Sequence, residues 1–220
     1  MSWINELYTI PKWSKFSQAH EECYIDHILK NIPSKNKFIL ELGAWDGLYL
    51  SNTRWLIDEL GYYSLLIDGD NHGNETVHEH FITKENILSI LSKYECPKEF
   101  DFFCIDIDGN DIYILDEVLK EYSPSLIVAE FNPIFNQNES YAIEYNPTHQ
   151  WENDNYYGFS FLAGVKMAEK NGYTCIFQND NLNMYFLKNE LIEGIAFRKP
   201  TYTQTHYHPN SPKNNWIVYG

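Results

Sequence analysis

The stretch Phe38-Ile-Leu-Glu-Leu-Gly-Ala-Trp-Asp-Gly47 constrains this chain most. An apolar run ends in a carboxylate and two glycines, and a helical pattern follows. A buried parallel strand delivers a turn to the edge of a sheet in this way. About twenty residues on, a second apolar run, Ser64-Leu-Leu-Ile67, ends in Asp68-Gly-Asp70. Carboxylates at two neighbouring strand ends, around a glycine turn, suit a nucleoside cofactor.

The rest of the chain repeats the strand–helix rhythm. Unbroken apolar runs predict strands over 38–42, 63–67, 100–107 and 126–131, with a short one over 81–83. Between them the apolar spacing predicts helices over 51–60, 85–94 and 111–122, and a short helical stretch reaching about His80. An earlier helix over 17–32 has Ser17 in the capping position. Residues 1–16 read as an aromatic arm. Residues 17–188 carry the main pattern: a doubly wound, mostly parallel α/β sheet with helices on both faces. Its last part is a helix over 158–171 and an antiparallel hairpin of strands 173–178 and 182–187 around Asn179-Asp-Asn181. Residues 133–157 form a long aromatic loop expected on the substrate side, and 189–220 an irregular tail that is a candidate lid.

Composition narrows the function. A length of 220 residues fits one domain, and the net charge of −15 opposes nucleic-acid binding, which rests on Lys and Arg. No 18-residue apolar stretch occurs, and the N-terminus lacks a basic-then-apolar leader, so a cytoplasmic protein without a membrane span is expected. Cysteines 23, 96, 104 and 175 form no CxxC pair, which leaves zinc without support. Cys104 and Cys175 sit inside apolar runs and read as reduced core residues.

In an open parallel sheet, ligands bind beyond the carboxyl ends of the strands. Four such ends carry polar groups here: Glu41 to Gly47, Asp68 to Asp70, Asp106 to Asp111, and Glu130 with Asn132. The first turn is neither a dinucleotide G-x-G-x-x-G nor a phosphate loop, and Glu41 and Asp46 would repel pyrophosphate. A cationic cofactor such as S-adenosylmethionine fits, with Gly43 as the close-approach residue and Asp68 on the ribose hydroxyls. Trp45 either covers that cofactor or packs. The run Asp106-Ile-Asp-Gly also resembles the nucleophile motif of haloacid-dehalogenase-type phosphatases, which would use Asp106 and Asp108 with Mg²⁺. An EF-hand is excluded by spacing. Mg²⁺ held by Asp106, Asp108 or Glu130 is a further alternative.

Taken together, these stretches resemble the class I, Rossmann-like S-adenosylmethionine-dependent methyltransferases, and within them the FkbM-like group. The resemblance is carried by Phe16-Ser-Gln18, residues 39–47 with Leu50-Ser-Asn-Thr53, Leu66-Ile-Asp-Gly-Asp70, residues 100–111, Ile127-Val-Ala-Glu-Phe-Asn-Pro133, Tyr156-Tyr-Gly-Phe-Ser160 and Lys170-Asn-Gly-Tyr173. Trp45 replaces the middle glycine of the usual turn. The resemblance implies a seven-stranded sheet whose last strand is antiparallel. It implies cofactor contacts at Glu41, Gly43 and Asp68, to which the neighbouring Ala44, Trp45, Gly47, Gly69 and Asp106 are added as candidates. It implies a substrate side built by Asp106, Asp108, Glu130 and Asn132, and by analogy O-methylation of a small molecule or glycan. The candidate bases are Asp106, Asp108 and Glu130. His149, Trp151, Tyr156 and Tyr157 are candidate acceptor contacts, and His206 and His208 candidates for closure from the tail. A non-catalytic binding module with the same fold is the remaining alternative.

Overall fold

The computed structural model describes residues 2–205 and 215–220. Its elements are α1 (Trp3–Glu6), α2 (Glu21–Asn31), β1 (Phe38–Leu42), α3 (Arg54–Leu60), β2 (Tyr63–Asp68), β3 (Val77–Glu79), α4 (Ile87–Lys93), β4 (Glu99–Ile105), α5 (Asp111–Val118), β5 (Ser123–Glu130), β6 (Tyr141–Ile143), α6 (Phe161–Lys170), β7 (Tyr173–Asn179), β8 (Asn183–Lys188) and β9 (Trp216–Val218). Seven strands form one sheet in the order β3-β2-β1-β4-β5-β8-β7. All neighbours are parallel except β8, which runs antiparallel to both β5 and β7. The sheet is thus doubly wound and mostly parallel, with the expected terminal hairpin.

Alternation along the central strands sorts side chains into two cores. Leu40, Leu42, Ile67, Phe103, Ile105 and Ile127 pack with residues of α4, α5 and α6 on one face. Ile39, Phe102, Cys104, Leu126 and Val128 pack with α1, α2 and α3 on the other. Both faces of the strands are therefore covered, which is why their sequences are apolar throughout. The four cysteines are free and buried. No helix among the described residues is long and apolar enough to cross a membrane.

Register sets the site. Leu42 lies beside Ile67 and Ile105, and Ile105 beside Ala129. The residues that follow in each strand therefore emerge along one edge.

Four expectations need correction. Ser17 does not cap a helix: it forms a parallel bridge with Leu50, and its hydroxyl donates to Glu22 at 2.9 Å. Helix α2 instead begins after His20, whose backbone is left-handed. The third strand is at Val77–Glu79, where Leu66 pairs with Val77, and not at 81–83 or in a helical stretch. Gly158 precedes α6, which Ser160 caps by accepting from the Ala163 N–H. Loop 133–157 and the tail are not wholly irregular, because β6 pairs antiparallel with β9. His206 and His208 lie outside the described residues.

Candidate active site

The first wall is the turn after β1. Gly43 has a φ of +84°, and a Cβ there would lie 1.6 Å from the Asp106 carbonyl oxygen. A glycine is required because the turn presses on the end of β4. The close approach expected of Gly43 is thus first of all to protein backbone. The N–H groups of Gly43 and Ala44 both donate to the Ile67 carbonyl, at 2.9 and 3.2 Å.

The next amide binds a side chain. Trp45 N–H donates to Asp68 Oδ2 at 2.7 Å, and Asp70 N–H donates to Asp68 Oδ1 at 3.0 Å. One carboxylate so ties the β1 turn to the β2 turn. Each of its oxygens keeps a lone pair for a further donor, which is what a pair of ribose hydroxyls requires. Trp45 stacks on His72 with ring centroids 3.8 Å apart, yet stays 51% exposed. Phe81 and Ile82 line the same part of the cavity, so apolar surfaces flank the two turns. Gly47 does not line it: its α-carbon points toward Leu66 and Val77 beneath the turn.

The floor is built by buried carboxyls. Glu41 accepts from Thr53 Oγ1 at 2.6 Å, from Ser51 Oγ at 3.2 Å and from the Asn52 N–H at 3.2 Å. Burial nevertheless raises its pKa to about 7. Glu41 therefore pins the segment before α3 while lining the cavity. Glu21, also buried, lines it too; it accepts from Ala19 N–H and from the side-chain amides of Asn179 and Asn183. Its neighbour Glu22 accepts from the N–H groups of Lys15, Phe16 and Ser17. Adjacent glutamates opening a helix read as dipole partners; their burial on an apolar helix face is not visible in their spacing.

Beyond the floor stand Asp106, Asp108 and Glu130, whose carboxylate oxygens approach within 4.8 Å of one another. Burial first, then mutual repulsion, raises the pKa values of Asp106 and Glu130 well above the carboxylate range, and Asp108 is pushed to about 6. Asp108 has a left-handed backbone, with φ 52°. The Asp111 carboxylate holds that loop by accepting from Ile107 and Gly109 N–H, each at 2.9 Å. Three hard oxygen donors could hold a divalent ion of the Mg²⁺ class, or an organic cation.

Of the acceptor-side candidates, His149, Trp151 and Tyr157 line the cavity. Two others do not. Asn132 is buried, and its amide donates to the Asn155 and Tyr157 carbonyls at 2.9 and 3.0 Å while its oxygen accepts from Ile134 N–H. It shapes the loop rather than the lining. The Tyr156 hydroxyl donates to the Asn215 carbonyl at 3.1 Å and accepts from Glu144 N–H, so it belongs to the β6–β9 clasp. The cavity that these walls enclose is about 1090 Å³. Sites for one drug-sized ligand span roughly 300–1,000 Å³, so two ligands can share it.

No protein-family model matches the sequence, and the search of curated proteins returns no match. Among solved structures, the chain is similar to the CMeT domain of the citrinin polyketide synthase at 11% identity, over 77% of this chain and 51% of that one, with a TM-score of 0.44. It is similar to an S-adenosylmethionine-dependent methyltransferase from Aquifex aeolicus at 12% identity, over 76% and 89%, with a TM-score of 0.41. It is also similar to the magnesium protoporphyrin IX methyltransferase of Synechocystis with bound S-adenosylhomocysteine, at 8% identity, over 76% and 83%, with a TM-score of 0.39. The chain spans about half the length of the first of these. At such identities and TM-scores a functional reading has to rest on the site itself.

Proposed function

We propose that this chain is an S-adenosylmethionine-dependent methyltransferase acting on a small-molecule acceptor, of the FkbM-like kind. The observation that carries the reading is Asp68: it bridges the turns after β1 and β2 and keeps one acceptor site free on each oxygen. The donor set suits the cofactor, since a ribose wants two acceptors and the sulfonium and ammonium groups want carboxylates. Asp68 would hold the ribose, with Gly69 and the Trp45–His72 pair at the nucleoside end and Glu41, Gly43 and Ala44 at the methionine end. The cofactor supplies an activated methyl group.

The remaining work falls to the chain. Its walls would hold the acceptor beside the donor, which lowers the barrier by positioning. Where the acceptor atom carries a proton, Asp106, Asp108 or Glu130 accepts it; Asp108, pushed to about 6, is suited to that exchange. The resemblance implies a hydroxyl acceptor on a small molecule or glycan. Mg²⁺ on Asp106, Asp108 and Glu130 is a second reading of that cluster, favoured by the convergence of its oxygens. A phosphatase is disfavoured, because a phosphoryl dianion would meet a lining on which no Lys or Arg stands among the described residues.

The test is binding. S-adenosylhomocysteine titrated into the wild type should bind in the micromolar range, and Asp68→Ala should weaken it roughly 10- to 100-fold, the worth of charge-assisted hydrogen bonds. Equal affinity in the two proteins would remove the ribose assignment.

A further inference from the structure

The cavity has a charge problem that the methyl donor does not solve. Glu41, Asp68, Asp70, Asp106, Asp108 and Glu130 all line it, and no Lys or Arg does among the described residues. Asp68 is engaged by two backbone amides, and Glu41 by two hydroxyls and an amide. Asp106 and Glu130 hydrogen-bond to one another side chain to side chain, and with Asp108 their oxygens converge within 4.8 Å. Three carboxylates this close resist joint ionisation unless a cation joins them.

Two further observations describe what the cation is attached to. His149 lines the same cavity against Gly109, where a Cβ would lie 2.5 Å from its ring, and its Nε2 is buried without a hydrogen-bond partner among the described residues. A buried ring nitrogen of that kind calls for a ligand group. Trp151 and Tyr157 line the same cavity, their rings 6.1 Å apart and edge to face. Aromatic rings and carboxylates lining one cavity suit an organic cation, which gains from both. A bare metal ion would use neither the rings nor the volume.

We infer that the acceptor is an organic cation, an amine-bearing small molecule whose ammonium group is held by Asp106, Asp108 and Glu130 beside His149, Trp151 and Tyr157. The inference rests on the methyltransferase reading and names its substrate class. It also accommodates either acceptor atom. The S–CH₃ bond of the sulfonium would break with its electron pair left on sulfur, and the methyl would go to a hydroxyl neighbouring the ammonium, whose proton passes to a carboxylate, or to the nitrogen itself after its proton has passed to a carboxylate and left a neutral amine.

The experiment uses the full chain saturated with S-adenosylhomocysteine, and the probes are 1,5-diaminopentane, the matched 1,5-pentanediol and MgCl₂ alone. Calorimetry at neutral pH should show the diamine binding at least tenfold more tightly than the diol. Asp108→Asn should reduce that preference to within about threefold, while Glu193→Gln, the same charge change at an exposed position, should leave it intact. Equal binding of diamine and diol, no binding of either, or a preference that survives Asp108→Asn would overturn the inference. So would Mg²⁺ that binds alone and excludes the diamine, since the cluster would then be a metal site. Failure of S-adenosylhomocysteine to bind at the first step counts against the methyltransferase reading instead, and the diamine-to-diol ratio is then read on the protein without it.

Discussion

Glu41 shows how one residue couples the site to stability. Its carboxyl is 3% exposed and its pKa is raised to about 7, chiefly by burial, against an ordinary value of 4.5. The folded chain therefore binds a proton that the unfolded chain has released over that interval. The stabilisation from this group is complete below about pH 4.5 and is lost as pH rises through 7. Asp108, pushed to about 6, acts in the same direction. The wild type should lose stability as pH rises from 4.5 to 7.5, and Glu41→Gln should remove about 3 kcal/mol of that fall. Urea midpoints across this range measure it; an unchanged slope in the variant would show that Glu41 stays ionised. Gln is the right probe, since the Ser51 and Thr53 hydroxyls can accept from its amide as readily as they donate to Glu41.

Between elements, the decisive contact is the β1 turn on the end of β4. Gly43→Ala would set a methyl 1.6 Å from the Asp106 carbonyl, at a φ that side chains disfavour. It should destabilise the fold by at least about 3 kcal/mol, seen as a lowered urea midpoint; a loss under about 1 kcal/mol would mean the turn has room to shift. The β6–β9 clasp offers a milder test. Trp216 packs on Phe135 and Tyr156, with ring centroids 4.6 and 5.1 Å away. Trp216→Ala should speed amide hydrogen exchange in β6 about tenfold or more while β1 and β4 keep their protection. Loss of protection throughout would show the clasp to be part of the global core.

These same elements explain what could be read from residues alone. Strands β1, β2, β4 and β5 are covered on both faces, so their apolar runs are continuous and their ends fall almost where the sequence puts them. Aligned register then brings Glu41, Asp68, Asp106 and Glu130 to one edge, which is why their convergence was legible. Strands β3, β6 and β9 have three residues each, too few for a period, and exist through their partners. Direction was equally hidden. Gly47, Asn132 and Tyr156 have the residue types of a lining, but the first packs under the turn and the other two bond to loops and tail. Glu21 was missed because burial of a helix-opening glutamate follows from Asn179 and Asn183, more than 150 residues away.

At the scale of the whole molecule, an acidic chain of net charge −15 concentrates carboxylates around one cavity at the carboxyl edge of its sheet. That distribution repels phosphate and nucleic acid and draws cations. A methyl donor carrying a sulfonium and an ammonium group meets those conditions, and binding to the folded chain alone would also raise its thermal midpoint. On the proposed reading, this cavity takes that donor. Its most direct test is calorimetric titration of S-adenosylmethionine and S-adenosylhomocysteine into the full chain, with and without Mg²⁺. Both compounds should bind at one site with micromolar affinity, with the metal not required. No binding of either compound under either condition would contradict it.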